Sequence, residues 1–491
     1  MIRILLIGLI LTGCNFQKKK EAAGTVEKPQ CITNLEEYDT TTYSVEDAMQ
    51  EHGLKGLSIA VFENYNLICT QTWGVKDAIS NDTIDENTAF STASMAKPIT
   101  ATLFAILEEQ GMISLDVPVS NYLMRWQLPK SEYLSNTEVT LRQLLSHTAG
   151  TTQHGFADFY KGDTIPTLVE SLQGQLPNYD EEIDFKWIPG SDWGYSGGGY
   201  VIAQMAVEDK LGVKLSDLAN RYLFEPLGMS HTTLKQPHEE GFSLTNLAKA
   251  HNEEGIIVGD GIPITPQVAA SGLWSTPSDL AIFLIEMQNA LRNENNGVIS
   301  QDVAIKVTDI ITTKVIGGWS LGWERRYGFG NYEWFSHGGA NTGVGGHMYA
   351  TMQDGNGIVM LGNGANKNRL PVINKIRDRI IINQKWHIPL DTQLQKPLTQ
   401  EVIDMVTGSY TQAIFPEKME IIYEKGKLFV RPAFFPGATD NSLIYIGNNE
   451  FIMDGYVSKI IFKIDEPNHQ VNLYTNRNGT SEIVIQYRKS Q

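Results

Sequence analysis

Apolar positions recur along this chain in three rhythms. A short continuous run, Ile4 to Leu11, follows a basic start at Arg3. About 20 apolar residues are needed to cross the ~30 Å core of a bilayer, so the run reads as a signal-peptide core and not as a span. Asn15 to Leu35 is polar and aperiodic and reads as a tether. Helical spacing marks Ser44–His52, Ile99–Gln110 (Leu103, Phe104, Ile106, Leu107), Leu141–Gly150 with a glycine stop, Pro166–Leu172, the stretch carrying Val201, Ile202, Met205 and Ala206, Asn220–Met229 ending at Gly228, and Leu370–Trp386. A further helix starts in Ser275–Asp279, with Ser275 or Thr276 as cap and Pro277 in the first helical position. The β-rich rhythm predicts one hairpin from Leu57–Phe62 and Leu67–Thr72, and a second from His347–Met352 and Gly357–Gly362 around Asp354-Gly355. Trp334–Ala340 reads as a strand running into glycines. Strands and helices are segregated, which predicts an α+β fold on an antiparallel sheet. Beyond a break at Ile388–Gln400, seven short runs (Met419–Tyr423, Lys427–Val430, Leu443–Ile446, Glu450–Met453, Lys459–Ile464, Gln470–Tyr474, Glu482–Gln486) predict a small all-β barrel or sandwich.

Composition narrows this picture in two places. At 491 residues and 42% hydrophobic content the chain is globular and long enough for two or three domains. Its net charge of −17 argues against a nucleic-acid partner, since phosphate would be repelled, and Lys18-Lys19-Lys20 is the basic run noted. Leu11-Thr12-Gly13-Cys14 resembles the lipobox of bacterial lipoproteins, which implies removal of residues 1–13 and a lipid on Cys14. The mature chain is then expected in the cell envelope, anchored and not spanning, facing the periplasm or the outer membrane. Cys31 and Cys69 remain. An oxidising compartment permits a disulfide, and two free thiols are equally compatible with the sequence.

Candidate chemistry centres on Ser94-Met95-Ala96-Lys97, at the start of the Ile99 helix. The i,i+3 spacing puts both side chains on one face. A serine hydroxyl needs a neighbour to take its proton, and a lysine does so when burial and nearby positive charge lower its pKa. No His-Glu-x-x-His or other metal-ligand spacing occurs, which disfavours a metallohydrolase. The two Gly-x-Ser-x-Gly matches, Gly194–Gly198 and Gly318–Gly322, do not read as the strand-to-helix turn of a nucleophile elbow, which disfavours an α/β-hydrolase.

Six pieces in order carry a resemblance: Phe90–Lys97, Leu144–Gly150, Pro189–Gly197, Glu225–Met229, Gly272–Leu280 and His337-Gly338-Gly339. Together they resemble the class C β-lactamase-like superfamily of penicillin-recognising serine hydrolases, which includes β-lactamases, D,D-peptidases, D-amino-acid peptidases and esterases. The likeness covers Val45 to Trp386. It implies an antiparallel sheet flanked by helices with an all-helical subdomain, in a hydrolase domain of residues 36–388. Residues 14–35 would be the tether, and residues 400–491 a small β accessory domain of a kind often fused to this family. The resemblance further implies that Ser94 is the nucleophile, Lys97 its proton acceptor, and Tyr195 a proton relay that protonates the leaving group. A tyrosine can do so only with its anion stabilised by nearby cations or in concert with Lys97. His337 would orient an acyl carboxylate or support Tyr195. The backbone N–H groups of Ser94 and Ala340 would form the oxyanion hole, beside Gly338 and Gly339. His147 reads as structural. No cofactor or metal is implied.

Two departures matter. The second motif, usually Tyr-x-Asn, is Tyr195-Ser196-Gly197, and the third has His337 in place of Lys. Both fit the esterase and peptidase branches better than true β-lactamases. The expected activity is acyl transfer through a covalent acyl-enzyme, from an ester or an amide of D-amino-acid, peptidoglycan or β-lactam type. The alternative is a penicillin-binding sensor that acylates without turning over.

Overall fold

The computed structural model describes residues 30–32, 35, 43–175, 180–294, 297–315, 317–327, 329–387, 392–411, 419–431, 442–453, 456–465, 470–476 and 483–489. The expected signal segment, Cys14 and most of the expected tether lie outside the described residues.

Strand Gly56–Glu63 is buried along nearly its whole length, and its alternation divides two cores. Ala60 and Phe62 face the larger core, whereas Leu57, Ile59 and Val61 face a second one. Its partner Gly357–Gly362 does the same, with Val359 and Leu361 on one side and Ile358 and Met360 on the other. The sheet is therefore a covered middle layer. Its six strands run Asn66–Gly74, Gly56–Glu63, Gly357–Gly362, Val344–Thr351, Glu333–Asn341 and Glu324–Tyr327 from edge to edge, every neighbouring pair antiparallel. Both expected hairpins are present. The first turn is a two-residue connection with Asn64 and Tyr65 both at positive φ, as the strand twist demands, and the longer Met352–Asn356 connection places Asp354 and Gly355 at positive φ.

Helices Val45–His52 and Asn366–Asn383 cover the face carrying the second core. Ser44 caps the first of them with a capping box completed by Asp47. On the opposite face Pro277–Leu291 packs on the sheet, capped by Thr276 with Pro277 at its start, as its sequence predicts. Helices are the main regular elements of the long segment between the first hairpin and this helix, joined by irregular loops. That segment contributes Ala96–Glu109, Leu141–Leu145, Gly197–Leu211 and Leu215–Leu227 to the larger core. The last of these passes through a π-helical turn at Asn220–Phe224 before Gly228 stops it in the left-handed conformation.

Some boundaries differ from the sequence reading. The Ile99 helix begins at Ala96, since Pro98 in the first turn has no amide that needs a partner. The closing helix begins at Asn366 instead of Leu370 and runs through Pro371. The seven C-terminal runs are all strands, and they form a closed barrel with an eighth, Gly408–Thr411, that bridges Met419–Glu424 and Ile483–Lys489. Tyr410, Leu428, Val430, Phe451, Met453 and Phe462 fill that barrel as a core of its own.

Among the described residues no helix is long and apolar enough to cross a membrane. Cys31 and Cys69 form a disulfide that ties the chain ahead of the first helix to the edge strand Asn66–Gly74. Gln71 Oε1 fastens the same segment by accepting from the Cys31 and Ile32 N–H groups at 3.0 and 3.2 Å. The bridge spans 38 residues. A loop of that size removes about 4 kcal/mol of unfolded-chain freedom in the chain-entropy model. Replacing both cysteines with serine is expected to lower the melting temperature. An equal melting temperature for wild type and variant under oxidising conditions would deny the bridge a stabilising role.

Candidate active site

The Phe90–Lys97 stretch is held from behind by the Gly272–Leu280 stretch. Phe90-Ser91 pairs with Trp274-Ser275, and both the N–H and Oγ1 of Thr92 donate to Leu273 O, at 2.8 and 3.0 Å. Ala93 is forced to φ +51°, a conformation that costs energy outside glycine and recurs where a reactive side chain must be presented. Ser94 follows, half-buried, one turn ahead of Lys97. The helix behind it is buried on every side from Ala96 to Leu107.

Lys97 is 1% exposed. Its Nζ donates to Ser94 Oγ at 3.1 Å and to Ala270 O at 2.8 Å. It also lies over the rings of Tyr195 and Tyr200, 4.8 and 5.4 Å from their centroids. Burial alone brings its ammonium down to about 7, so the neutral amine is well populated at neutral pH, within reach of the hydroxyl proton.

Tyr195 precedes the helix Gly197–Leu211, whose cap is Ser196. The Ser196 N–H donates to His147 Nδ1 at 3.1 Å, fixing the loop. Tyr195 shares a hydrogen bond with the Ser94 hydroxyl, yet burial still pushes its phenol above the ordinary tyrosine range, and the Glu324 charge adds to this. The tyrosine is therefore a neutral donor. Of the two routes open to it on sequence grounds, the structure favours concerted action with Lys97 over a stabilised phenolate.

His337, Gly338, Gly339 and Ala340 lie on strand Glu333–Asn341. Its neighbour Glu324–Tyr327 pairs only with Glu333–Ser336, so that edge is free of the short strand from His337 onward. Gly339 packs against the loop that carries Ser94. A Cβ there would overlap Thr92 O and approach Ser94 N to 3.1 Å, so a side chain at 339 would push the serine away. His337 is 4% exposed, and burial, reinforced by the charge of Lys97, drops it to about 3. It is a neutral imidazole that donates from Nδ1 to Gly338 O at 2.6 Å, leaving Nε2 an unpartnered acceptor.

The structure thus gathers Ser94, Lys97, Tyr195, His337 and Gly339 around one point, with Ala340 next along the strand. It also brings in His147 and two residues the sequence reading did not single out, Trp319 and His154. Trp319 lies 5.9 Å from the Tyr195 ring, 5.7 Å from His337 and 5.4 Å from His147. His147, read from sequence as structural, lies 4.3 Å from the Tyr195 ring, and burial drives it well below the usual histidine range. His154 is exposed with its ring 5.1 Å from Tyr195. Trp319 and His154 sit on irregular loops with no periodicity to mark them. Among the described residues no group of three or more His, Cys, Asp or Glu side chains is arranged to hold a metal ion.

Comparison with known proteins bears on the family and the fold. A profile of the beta-lactamase family matches residues 44–381. Penicillin-binding protein 4* of Bacillus subtilis is 28% identical over 184 residues, 37% of this chain and 38% of that protein. The unguisins hydrolase ungD of Aspergillus violaceofuscus is 28% identical over 199 residues, 39% of this chain and 33% of that one. The match thus spans well under half of either relative. Among solved structures, an octameric penicillin-binding protein homologue from Pyrococcus abyssi is similar in fold at TM-score 0.58 and 20% identity, covering 91% of this chain and 98% of its own. A class C beta-lactamase mutant is similar at TM-score 0.51 and 22% identity, covering 68% of this chain and 97% of that one.

Because Lys97 must be neutral to accept a proton, kcat/KM for ester cleavage is expected to rise with pH through about 7 and to level off above it. Lys97→Ala is expected to lower the rate by orders of magnitude with the fold intact. A wild-type profile flat from pH 5 to 9, or an unchanged rate in the variant, would remove Lys97 from the proton path.

Proposed function

The chain belongs to the beta-lactamase family, and from that premise we propose that it is a serine hydrolase acting through a covalent acyl-enzyme on an ester or amide. The observation that carries this reading is a buried lysine amine 3.1 Å from a serine hydroxyl on a strained, rigidly held turn. In the proposed sequence the Ser94 proton passes to Lys97 Nζ as Oγ attacks the acyl carbon, and the carbonyl electrons collect on oxygen facing the Ser94 and Ala340 N–H groups. As that oxyanion collapses, the bond to the leaving group breaks. The Tyr195 phenol gives that group its proton and recovers one from Lys97. Water then attacks the acyl-serine as neutral Lys97 takes its proton, directly or through the Tyr195 phenol, which passes its own on; the bond to Ser94 Oγ breaks as that proton returns to Oγ, and the acid is released.

Two features direct the substrate reading toward esters and neutral or peptidic amides. His337 is neutral, so no permanent cation stands at the third motif to hold a carboxylate. Gly197 carries no amide, and its missing side chain faces His154 O and Phe156 at 3.1 and 3.3 Å, so the loop already fills that space. The strand from His337 to Asn341 has an edge not covered by Glu324–Tyr327, and can pair with an extended acyl chain. On the sequence evidence alone, we place the protein in the cell envelope on a lipid at Cys14. Similarity to a penicillin-binding protein favours one second reading, an acylating sensor that turns over slowly.

The test follows the protein's mass during incubation with p-nitrophenyl esters and, separately, a β-lactam. A transient adduct with product release is expected from an ester. A persistent adduct would establish the sensor reading instead. Ser94→Ala is expected to abolish hydrolysis and labelling by a fluorophosphonate, and a variant that still labels would displace Ser94 as nucleophile.

A further inference from the structure

Arg369 is a buried cation that the chemistry above does not use. Its side chain is 0% exposed, and it sits in the first turn of helix Asn366–Asn383, where the helix dipole disfavours positive charge. No carboxylate among the described residues pairs with it. Its acceptors are neutral: Gly364 O at 2.5 Å, Asn366 Oδ1 at 2.6 Å and Gly339 O at 3.2 Å. Burial alone pulls its guanidinium down to about 10. Glycines clear its path. A Cβ on Gly345 would come within 2.9 Å of its Nη2, and one on Gly362 within 3.2 Å of its Cδ. A charge buried without a counter-ion is costly, which directs attention to what it touches.

It touches one end of the peptide group that links Gly339 to Ala340. That carbonyl points inward, toward Gly345 of the neighbouring strand, where a Cβ would overlap it. In a trans peptide the N–H points the opposite way. The Ala340 N–H therefore points out of the strand, toward the edge that Glu324–Tyr327 leaves free beside Ser94. Carbonyl and N–H belong to one conjugated unit, so a cation on the oxygen strengthens the N–H as a donor and fixes its direction.

We propose that Arg369 is a positioning residue for acyl transfer, holding and polarising the Gly339–Ala340 peptide from behind so that the Ala340 N–H meets the developing oxyanion. This rests on the acyl-enzyme reading above. The charge acts on the transition state more than on the bound ester, because negative charge gathers on the acyl oxygen only as the bond to Ser94 forms.

The test uses the full-length protein in detergent, with p-nitrophenyl butyrate as substrate and saturating fluorophosphonate to count competent sites. Arg369→Met is expected to lower kcat per competent site roughly ten- to hundredfold, below the full loss of one oxyanion donor, with KM changed less than about threefold. Arg369→Lys, which keeps the charge, is expected to recover most of that loss, and the acid limb near pH 7 set by Lys97 is expected to stay in place in both variants. Wild-type kcat per competent site in Arg369→Met overturns the proposal. So does a loss seen only as fewer competent sites, which marks a folding role, or a displaced acid limb, which assigns the effect to Lys97. Should Arg369→Met yield no competent sites, Arg369→Lys decides alone: loss carried mainly by KM overturns the proposal, and loss confined to kcat supports it. Failure of the underlying reading is seen separately, as hydrolysis that persists in Ser94→Ala.

Discussion

An amine removed from water with no opposing charge is the condition on which the rest of the site depends. Desolvation penalises the charged form of every titratable group, so one dry environment sets three protonation states together. It lowers Lys97 to about 7, holds the Tyr195 phenol above its ordinary range and holds the His337 imidazole down at about 3. On the proposed reading the three serve as a base, a proton donor and a neutral acceptor. The requirement extends outward to the helix that carries Lys97. Ala96–Glu109 has no wet side until its last turn, because an amphipathic helix would have let water reach the amine. Ala270 O, brought in by the turn ahead of Gly272, keeps the amine hydrogen-bonded and the desolvation bearable.

A second constraint is distance of approach. The Ser94 turn and the strand Glu333–Asn341 meet backbone to backbone at Thr92 and Gly339, which only a residue without Cβ allows. Gly322 does the same beneath Lys97, where a Cβ would come within 2.9 Å of the Lys97 carbonyl. Ala93, at positive φ, stores strain next to Ser94, and the pairing of Phe90-Ser91 with Trp274-Ser275 holds it there. On the proposed reading rigidity here serves orientation, since a hydroxyl displaced by an ångström from its base and its oxyanion donors would lose most of the benefit of being held.

Much of this was legible in the sequence because the signals were local. Capping at Ser44 and Thr276, positive-φ turns at Asn64-Tyr65 and Asp354-Gly355, and the glycine run after His337 each depend on a few adjacent residues. The convergence of Ser94, Lys97, Tyr195 and His337 followed from six motifs in order, not from periodicity. What stayed hidden depended on distant parts of the chain. Strand Glu324–Tyr327 is short and charged, and its pairing with Glu333–Ser336 makes it a strand. Gly408–Thr411 becomes one by closing a barrel. Trp319 and His154 reach the site from loops, and Arg369 was lost among the other Lys, Arg and Asp residues of its helix. The sequence reads His147 as structural, and its buried ring accepts from the Ser196 N–H and packs against Tyr195. A residue that packs and a residue that tunes a neighbour carry the same local signature.

On the proposed reading, the departures at Gly197 and His337 belong together. A permanent cation in the third motif would hold a carboxylate firmly, but it would also lie within the field of Lys97 and push that amine further toward the neutral form. With His337 neutral, Lys97 experiences no such neighbour, and burial alone sets it near 7. Positive charge is supplied instead from the far side of the strand, by Arg369 acting on the Gly339–Ala340 peptide. The partition separates two tasks that a front-side cation would mix. The front of the strand stays neutral, so the substrate is selected by shape, edge pairing and contact with Tyr195, Trp319 and His154. The charge that favours the oxyanion stays buried behind, where it meets neither solvent nor the substrate's own charges, and where it stabilises the transition state without strengthening the ground state.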